Sequence, residues 1–459
     1  MRYTQDHVED INIAYIGGGS RGWAWTFMTD LSLEKQLSGT IRLYDIDKEA
    51  AKANEIIGNS IKGRKEAVGK WDYVVSDTVE DALTGADFVV ISILPGTFNE
   101  MEVDVHMPER LGIYQSVGDT AGPGGMIRAL RTLPIFFEYA KEIEKYCPDA
   151  WVINYTNPMS LCVKAMYHAF PKIKAFGCCH EVFGTEKVLA QIVSDKLGTG
   201  KIDRHEIEVN VMGINHFTWF DQASYKGIDI FPLYRDFIAE HFEEGLIERD
   251  VNVPDVCFTC KHRVKMDLFN RYGLIASAGD RHIAEFMPGD MYLRNPAAVE
   301  KWGFALTSVA WRKEDLKRRL ARSARLVSGE EQIELVPTGE EGILLIKALC
   351  GLTRVVSNVN IPNTALQIPN LPADAVVETN ALFGRDSIRP VYAGSMPDNV
   401  RELVMPHIRN HNRILEASKT RDEELVVRSF MEDPVVMGSH ASEDDIRKLV
   451  RDMMTATLK

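Results

Sequence analysis

The chain has 459 residues, a length that suits a cofactor-binding domain joined to a large second domain. Hydrophobic residues make up 45% and charged residues 26%, which excludes wholesale disorder and fibrous repeats. With 53 basic against 66 acidic side chains the net charge is −13, so the surface is not built to coat nucleic acid or an anionic membrane.

The first 200 residues alternate short apolar runs with helical patterns. Strands are expected at Ile11–Ile16, Thr40–Tyr44, Asp87–Leu94, Trp151–Tyr155 and Lys174–Cys178. Helices are expected at Trp23–Gln36, Lys48–Lys62, Gly125–Tyr146 and Phe183–Lys196. Near-continuous apolar strands alternating with helices predict an α/β fold, a doubly wound Rossmann-type parallel sheet covered on both faces. After residue 200 the pattern changes. Ile207, Val209 and Val211 alternate with polar neighbours in a strand over Glu206–Ile214. Ala305–Val327 reads as a long basic helix and Gly342–Cys350 as an apolar segment; Val376–Phe383 and Ser387–Ala393 read as strands, and Asn399 to Lys459 as helical. The expected division is therefore residues 1–200 as a dinucleotide-binding domain. Residues 201–459 form an α+β domain for substrate, metal and oligomer contacts, with a cleft between the two. The N-terminus has no apolar signal core, and no run approaches the roughly 20 apolar residues of a membrane span. An odd count of seven cysteines does not suggest a disulfide framework, so a reducing cytoplasm is expected.

Five short motifs carry chemistry. Gly17-Gly18-Gly19-Ser20-Arg21-Gly22 fits GxGxxG between a strand and a helix, where backbone N–H groups and the helix dipole receive a diphosphate. Asp45 ends the next strand, in the place of a ribose partner, which favours NAD over NADP. Asn157-Pro158 closes a strand end, where Asn157 could bond a ribose, a carboxamide or a substrate hydroxyl, or serve the turn alone. Cys178-Cys179-His180-Glu181 stands between a strand and a helix, and its thiols could be nucleophiles, metal ligands or core residues. His216, in Gly213-Ile214-Asn215-His216-Phe217, follows a strand and suits a metal or acid–base work. Asp280, Arg281, His282 and Glu285 crowd one loop, which reads as a site or as a solvated ion-pair loop. Cys257-Phe258-Thr259-Cys260 is a CxxC without a second CxxC, a His pair or a thioredoxin-like surround, so neither structural zinc nor redox chemistry is expected of it.

Taken together, these motifs resemble glycoside hydrolase family 4. The likeness runs in order through IAYIGGGSRGW, ISILPG, YQSVGDTAGPGGMIRALR, VINYTNP, GCCHE, GINHF, GDRHIAEF and VVETN, nearly the whole chain. Within the family it is most similar to the α-galacturonidase branch and next to the α-glucosidase branch. Lactate and malate dehydrogenases share the cofactor fold but lack the Cys…His pair.

The resemblance implies an enzyme that departs from two-carboxylate glycosidase chemistry. NAD+ takes a hydride from sugar carbon 3, the carbon-2 proton becomes acidic, the glycosidic oxygen leaves, water adds and the hydride returns. It implies Cys179 and His216 as ligands of a divalent metal, Mn2+ being typical, which acts as a Lewis acid. It implies His180, where many relatives carry Asp, as the acid for the leaving group. Asp280 is then the carbon-2 base, Asp119 an acidic residue near cofactor and sugar, and Asn157 a substrate ligand. Gly17, Gly18, Gly19, Ser20, Gly22 and Asp45 hold the dinucleotide. Leu94-Pro95-Gly96-Thr97-Phe98 lacks the arginine of phosphosugar members, so a 6-phosphate is not expected. Arg281 and His282 are the candidate partners of a uronate carboxylate. The implied substrates are pectin-derived oligogalacturonides. The alternatives are a neutral α-glucoside, or plain dehydrogenation of a hydroxy acid or polyol. A homodimer or homotetramer is implied as the assembly.

Overall fold

The computed structural model describes residues 1–249 and 258–458, so Cys257 of the CxxC and the terminal Lys459 lie outside the described residues. Fourteen strands form two sheets among these residues. They are β1 (Arg2–Tyr3), β2 (Val8–Ile16), β3 (Leu37–Tyr44), β4 (Lys70–Val75), β5 (Phe88–Ile91), β6 (Trp151–Asn154), β7 (Lys174–Gly177), β8 (Ile207–Ile214), β9 (Phe217–Tyr225), β10 (Ile228–Asp229), β11 (Ile275–Ala276), β12 (Val355–Pro362), β13 (Val376–Gly384) and β14 (Ser387–Pro390).

The large sheet runs β14-β13-β12-β7-β6-β5-β2-β3-β4. Its six parallel strands, β4-β3-β2-β5-β6-β7, follow the 3-2-1-4-5-6 order of a Rossmann fold, with the order reversing between β2 and β5. Burial on both faces explains the apolar strands. All four residues of β5, Phe-Val-Val-Ile, are buried, because helices cover the sheet above and below. The doubly wound expectation is met.

The sheet does not stop at residue 200. β12 adds antiparallel beside β7, with Asn360 opposite Gly177, and β13 and β14 follow it outward. The second sheet is antiparallel, with β8, β10 and β11 all pairing to β9. One apolar core runs from Ile16 and Ile127 of the first half through Trp219, Phe286 and Val400 to Met453 of the second.

Several boundaries differ from the sequence reading for local reasons. The first helix ends at Leu33 rather than Gln36, because Glu34 is already extended and leads into β3. The long basic helix starts at Val309, where the Ser308 hydroxyl accepts from Trp311 N at 3.1 Å as an N-cap. The strand expected at Ser387–Ala393 ends at Pro390, and the tail divides into helices Asp398–Thr420, Glu423–Met431, Pro434–Met437 and Glu443–Thr457.

Candidate active site

The glycine turn lies at the reversal of strand order. Gly17 has φ +92°, and a Cβ there would stand 2.0 Å from the carbonyl oxygen of Ser92 at the end of β5. Only glycine fits both conditions. Ser20 N donates to Gly17 O at 3.0 Å and closes the turn, and Gly22 caps the helix Trp23–Leu33. Asp45 follows β3 and accepts from Gly19 N at 2.8 Å and from Asp47 N at 2.9 Å. Its carboxylate is thus held against the turn, where a ribose edge would approach. Gly22 neighbours Arg319 Nη1 of the basic helix, 2.6 Å from where a Cβ would stand, rather than a packed backbone.

Past the carboxyl ends of β6, β7 and β8 a second group of side chains converges. Cys179 Sγ lies 3.2 Å from His216 Nδ1, and His216 Nε2 lies 3.4 Å from Asn157 Nδ2. The Asn157–Pro158 and Asn215–His216 peptides are both cis. Asn215 Nδ2 reaches His216 Nδ1 at 3.0 Å and Glu378 Oε2 at 3.1 Å. Glu378 also accepts from Asn358 Nδ2 at 2.6 Å, and Asn358 donates to Cys179 O at 3.0 Å. β12 and β13 therefore brace both sides of the Cys179–His216 pair. The Asn157 side-chain oxygen is buried with no hydrogen-bond partner.

Glu181 sits between two histidines. Its Oε2 accepts from Gly279 N at 2.8 Å, and its Oε1 lies 3.4 Å from His282 Nε2 and 3.8 Å from His180 Nε2. His282 packs on His216 with ring centroids 4.4 Å apart, and its Nδ1 is buried without a partner. His180 turns Nδ1 to Glu340 Oε1 at 3.1 Å and stacks on Trp23, which stacks in turn on Tyr155. Asp119 precedes the helix Gly122–Tyr146, and Thr120 Oγ1 donates to it at 2.8 Å.

The protonation states follow from these neighbours. Burial, with His282 alongside, pushes His216 down to about 3, so its imidazole is neutral and offers a lone pair. Burial and the nearby Glu378 and Glu181 raise the Cys179 thiol well above its ordinary value; a bound cation reverses that balance. Burial works against a charge on His180, but the hydrogen bond and charge of Glu340 outweigh it and raise its pKa. Burial likewise opposes a charge on Asp119, and Arg128 and His282 overcome it, holding the carboxyl at about 2.

Two family models cover most of the chain: Family 4 glycosyl hydrolase over residues 12–195 and its C-terminal domain over residues 211–436. The chain belongs to glycosyl hydrolase family 4. This hydrolase is 66% identical over 457 residues to an alpha-galacturonidase of Lachnoclostridium phytofermentans, covering 100% of this chain and 98% of that protein. A Bacillus subtilis crystal structure described as that of a glucosidase matches with a TM-score of 0.92 and 48% identity over 97% of this chain and 100% of that one. A 6-phospho-alpha-glucosidase from gut microorganisms, solved with NAD and Mn2+, shares the fold at a TM-score of 0.75 and 18% identity over 98% of each chain.

In this family 4 hydrolase Cys179, His216, Asn157, His180 and His282, all singled out from sequence, come together. Asp280 does not join them. Its fully buried carboxylate accepts from Val264 N at 3.0 Å and Lys265 N at 3.3 Å, so it caps the helix Arg263–Tyr272. Asp280, expected as the carbon-2 base, thus faces that helix end rather than the Cys179–His216 pair. Arg281 also parts from His282, donating to Thr307 Oγ1 and lying 4.7 Å over the Phe258 ring. Glu285 of the same crowded loop accepts from Val117 N at 2.7 Å and Gly118 N at 2.8 Å, bracing the loop that carries Asp119. Sequence reasoning passed over Glu181, Asn215, Asn358, Glu378 and Glu340. Three of these stood inside quoted motifs (CCHE, GINHF and VVETN), so a polar neighbour of a suspected ligand was the available signal. Glu340 and Asn358 had none.

Among the described residues no helix is long and apolar enough to cross a membrane.

Proposed function

We propose that this chain is an α-galacturonidase that releases galacturonate from pectin-derived oligogalacturonides, using NAD and a divalent metal, with Mn2+ as the expected ion. The observation that carries the substrate is the 66% identity, end to end, with a protein named for that activity. The residues suit both groups. The Gly17 turn stands at the sheet crevice where the strand order reverses, with the Asp45 carboxylate on Gly19 N, and the neutral His216 and the Cys179 thiol form a mixed N and S donor pair beside the orphaned Asn157 oxygen.

When bound, NAD+ supplies a transient hydride acceptor for carbon 3, and the metal a Lewis acid for the oxygens on carbons 2 and 3. Cys179 and His216 would hold the metal, with Asn157 beside them for the sugar. His180 keeps its Nδ1 on Glu340 and carries its mobile proton at Nε2, from which it protonates the leaving oxygen. Glu181 anchors His180 and His282 from one carboxylate. His282 Nδ1, buried and unpartnered, is the hydrogen-bond donor for the uronate carboxylate. Asp119, its carboxyl held low by Arg128 and His282, orders a sugar hydroxyl. Residues 1–200 bind the dinucleotide and residues 201–459 complete the metal and sugar site. A reducing cytoplasm suits the six described cysteines, all free, and a homodimer or homotetramer is the expected assembly.

The test is hydrolysis of digalacturonate by metal-stripped protein, with NAD+ and Mn2+ returned singly and together under reductant. Galacturonate release that needs both, with no NADH accumulating, is the expected result. Stoichiometric NADH makes the protein a dehydrogenase, and cleavage of maltose in place of digalacturonate changes the sugar.

A further inference from the structure

Cys260, the described cysteine of the CxxC set aside on sequence grounds, acquires partners in the fold. Cys260, His262 and Asp280 each present one ligand atom, and the three atoms lie within 4.8 Å of one another. We propose that these three residues form a second metal centre, a zinc site that shares no residue with the Cys179–His216 pair.

Four observations carry it. Cys260 Sγ stands 3.6 Å from His262 Nδ1. Zn–S and Zn–N bonds of about 2.3 and 2.0–2.1 Å at a tetrahedral angle give an S···N edge of about 3.6 Å, so the pair is already spaced as two corners of one tetrahedron. The other ring nitrogen, His262 Nε2, meets Glu248 Oε1 at 3.0 Å. A carboxylate on the far nitrogen is the arrangement that orients a metal-bound imidazole. His262 is 3% exposed, so its ring is held out of water beside Cys260 and Asp280. Finally, Asp280 spends one lone pair of each oxygen on Val264 N and Lys265 N, which leaves the others for an ion.

A thiolate, an imidazole and a carboxylate select a borderline-soft ion, zinc rather than magnesium or calcium. The thiolate and the Asp280 carboxylate neutralise its two charges. Cys260 is partly exposed, so the fourth position opens to water and gives the ion a way in. The ion ties three stretches together: the strand bridge of Cys260 with Phe304, the start of the helix Arg263–Tyr272, and the short helix Asp280–Ala284. The last of these carries His282 toward Glu181 and His216. The site is a clamp on the active-site floor rather than a reacting centre.

The test titrates chelator-treated full-length protein with Co2+ as a spectroscopic stand-in for Zn2+. Two equivalents per chain are expected in the wild type and one in Cys179→Ser, the remaining equivalent giving a thiolate-to-cobalt charge-transfer band in the near ultraviolet. That band should vanish in a Cys179→Ser/Cys260→Ser double variant and in Cys179→Ser/His262→Gln. Zn2+ should raise the melting temperature of Cys179→Ser but not of either double variant. A Cys179→Ser protein that binds no Co2+ through sulfur overturns the proposal without requiring Cys260 to be altered. A band that survives in both double variants overturns it too, by placing the ion elsewhere. Neither result bears on the digalacturonate assay, so the clamp and the proposed activity stand or fall separately.

Discussion

Replacing Gly17 with alanine separates two costs that are usually confounded. Gly17 has φ +92°, and its added Cβ would meet the Ser92 carbonyl oxygen at 2.0 Å, well over 1 Å inside ordinary contact. Gly63 has φ +93°, with nothing within 4 Å of its Cβ position. Gly63→Ala therefore carries the backbone strain alone, about 1–2 kcal/mol. Gly17→Ala carries the same strain plus an overlap between two backbones, about 1–3 kcal/mol more. Urea unfolding of the two variants against the wild type reads the difference directly. The overlap can be relieved only by shifting the β2 turn away from β5, so NAD affinity should fall at least tenfold in Gly17→Ala and stay unchanged in Gly63→Ala. Equal losses of stability in both, with NAD binding intact in both, would refute the reasoning.

Glu340→Gln removes the charge that holds the proton on His180, so the alkaline limb of kcat/KM on digalacturonate should move to lower pH, with a smaller effect on an aryl galacturonide whose leaving group needs no proton. Cys179→Ser keeps the fold but exchanges a thiolate for a hydroxyl; Mn2+ affinity, read by equilibrium dialysis, should drop by roughly ten- to a hundredfold or more, and activity with it. Asp433 is fully buried, caps the helix Pro434–Met437 through Val435 N, and is pushed up to about 7 by burial. Its folded pKa lies above the unfolded one, so its contribution to stability is complete below about pH 4 and is lost as pH rises through 7, at up to about 1.4 kcal/mol per unit. Asp433→Asn should therefore be relatively more destabilised at pH 5 than at pH 8 in urea unfolding; an equal deficit at both would count against a buried acid there.

What could be read in the chain was what local chemistry writes there. The parallel sheet announced itself because both faces of β2, β5 and β6 are covered, which demands runs such as Phe88–Ile91. β12 stayed hidden for the opposite reason. Ser357, Asn358 and Asn360 are buried, yet a strand with polar residues in the core looks like a loop. Those amides are there to serve Cys179 and Glu378, and no short window contains both partners. The loop at Asp280–His282 was recognised as crowded with titratable groups but not resolved into two functions. In a helix, residues two apart point about 200° from one another. His282 accordingly faces Glu181 and His216, while Asp280 faces the start of another helix.

The late arrival of β12 has a consequence for synthesis. A ribosome making this chain N-terminus first completes the six parallel strands by residue 177, but the strand that covers β7 begins only at Val355. Until then β7 presents an open, apolar edge, the kind of surface that templates pairing with another nascent chain. About two-fifths of translation passes in that state, at roughly 5–20 residues per second. A fragment cut at residue 200 would keep that edge for good, so it should aggregate when expressed alone and recover when the missing strands are supplied in trans.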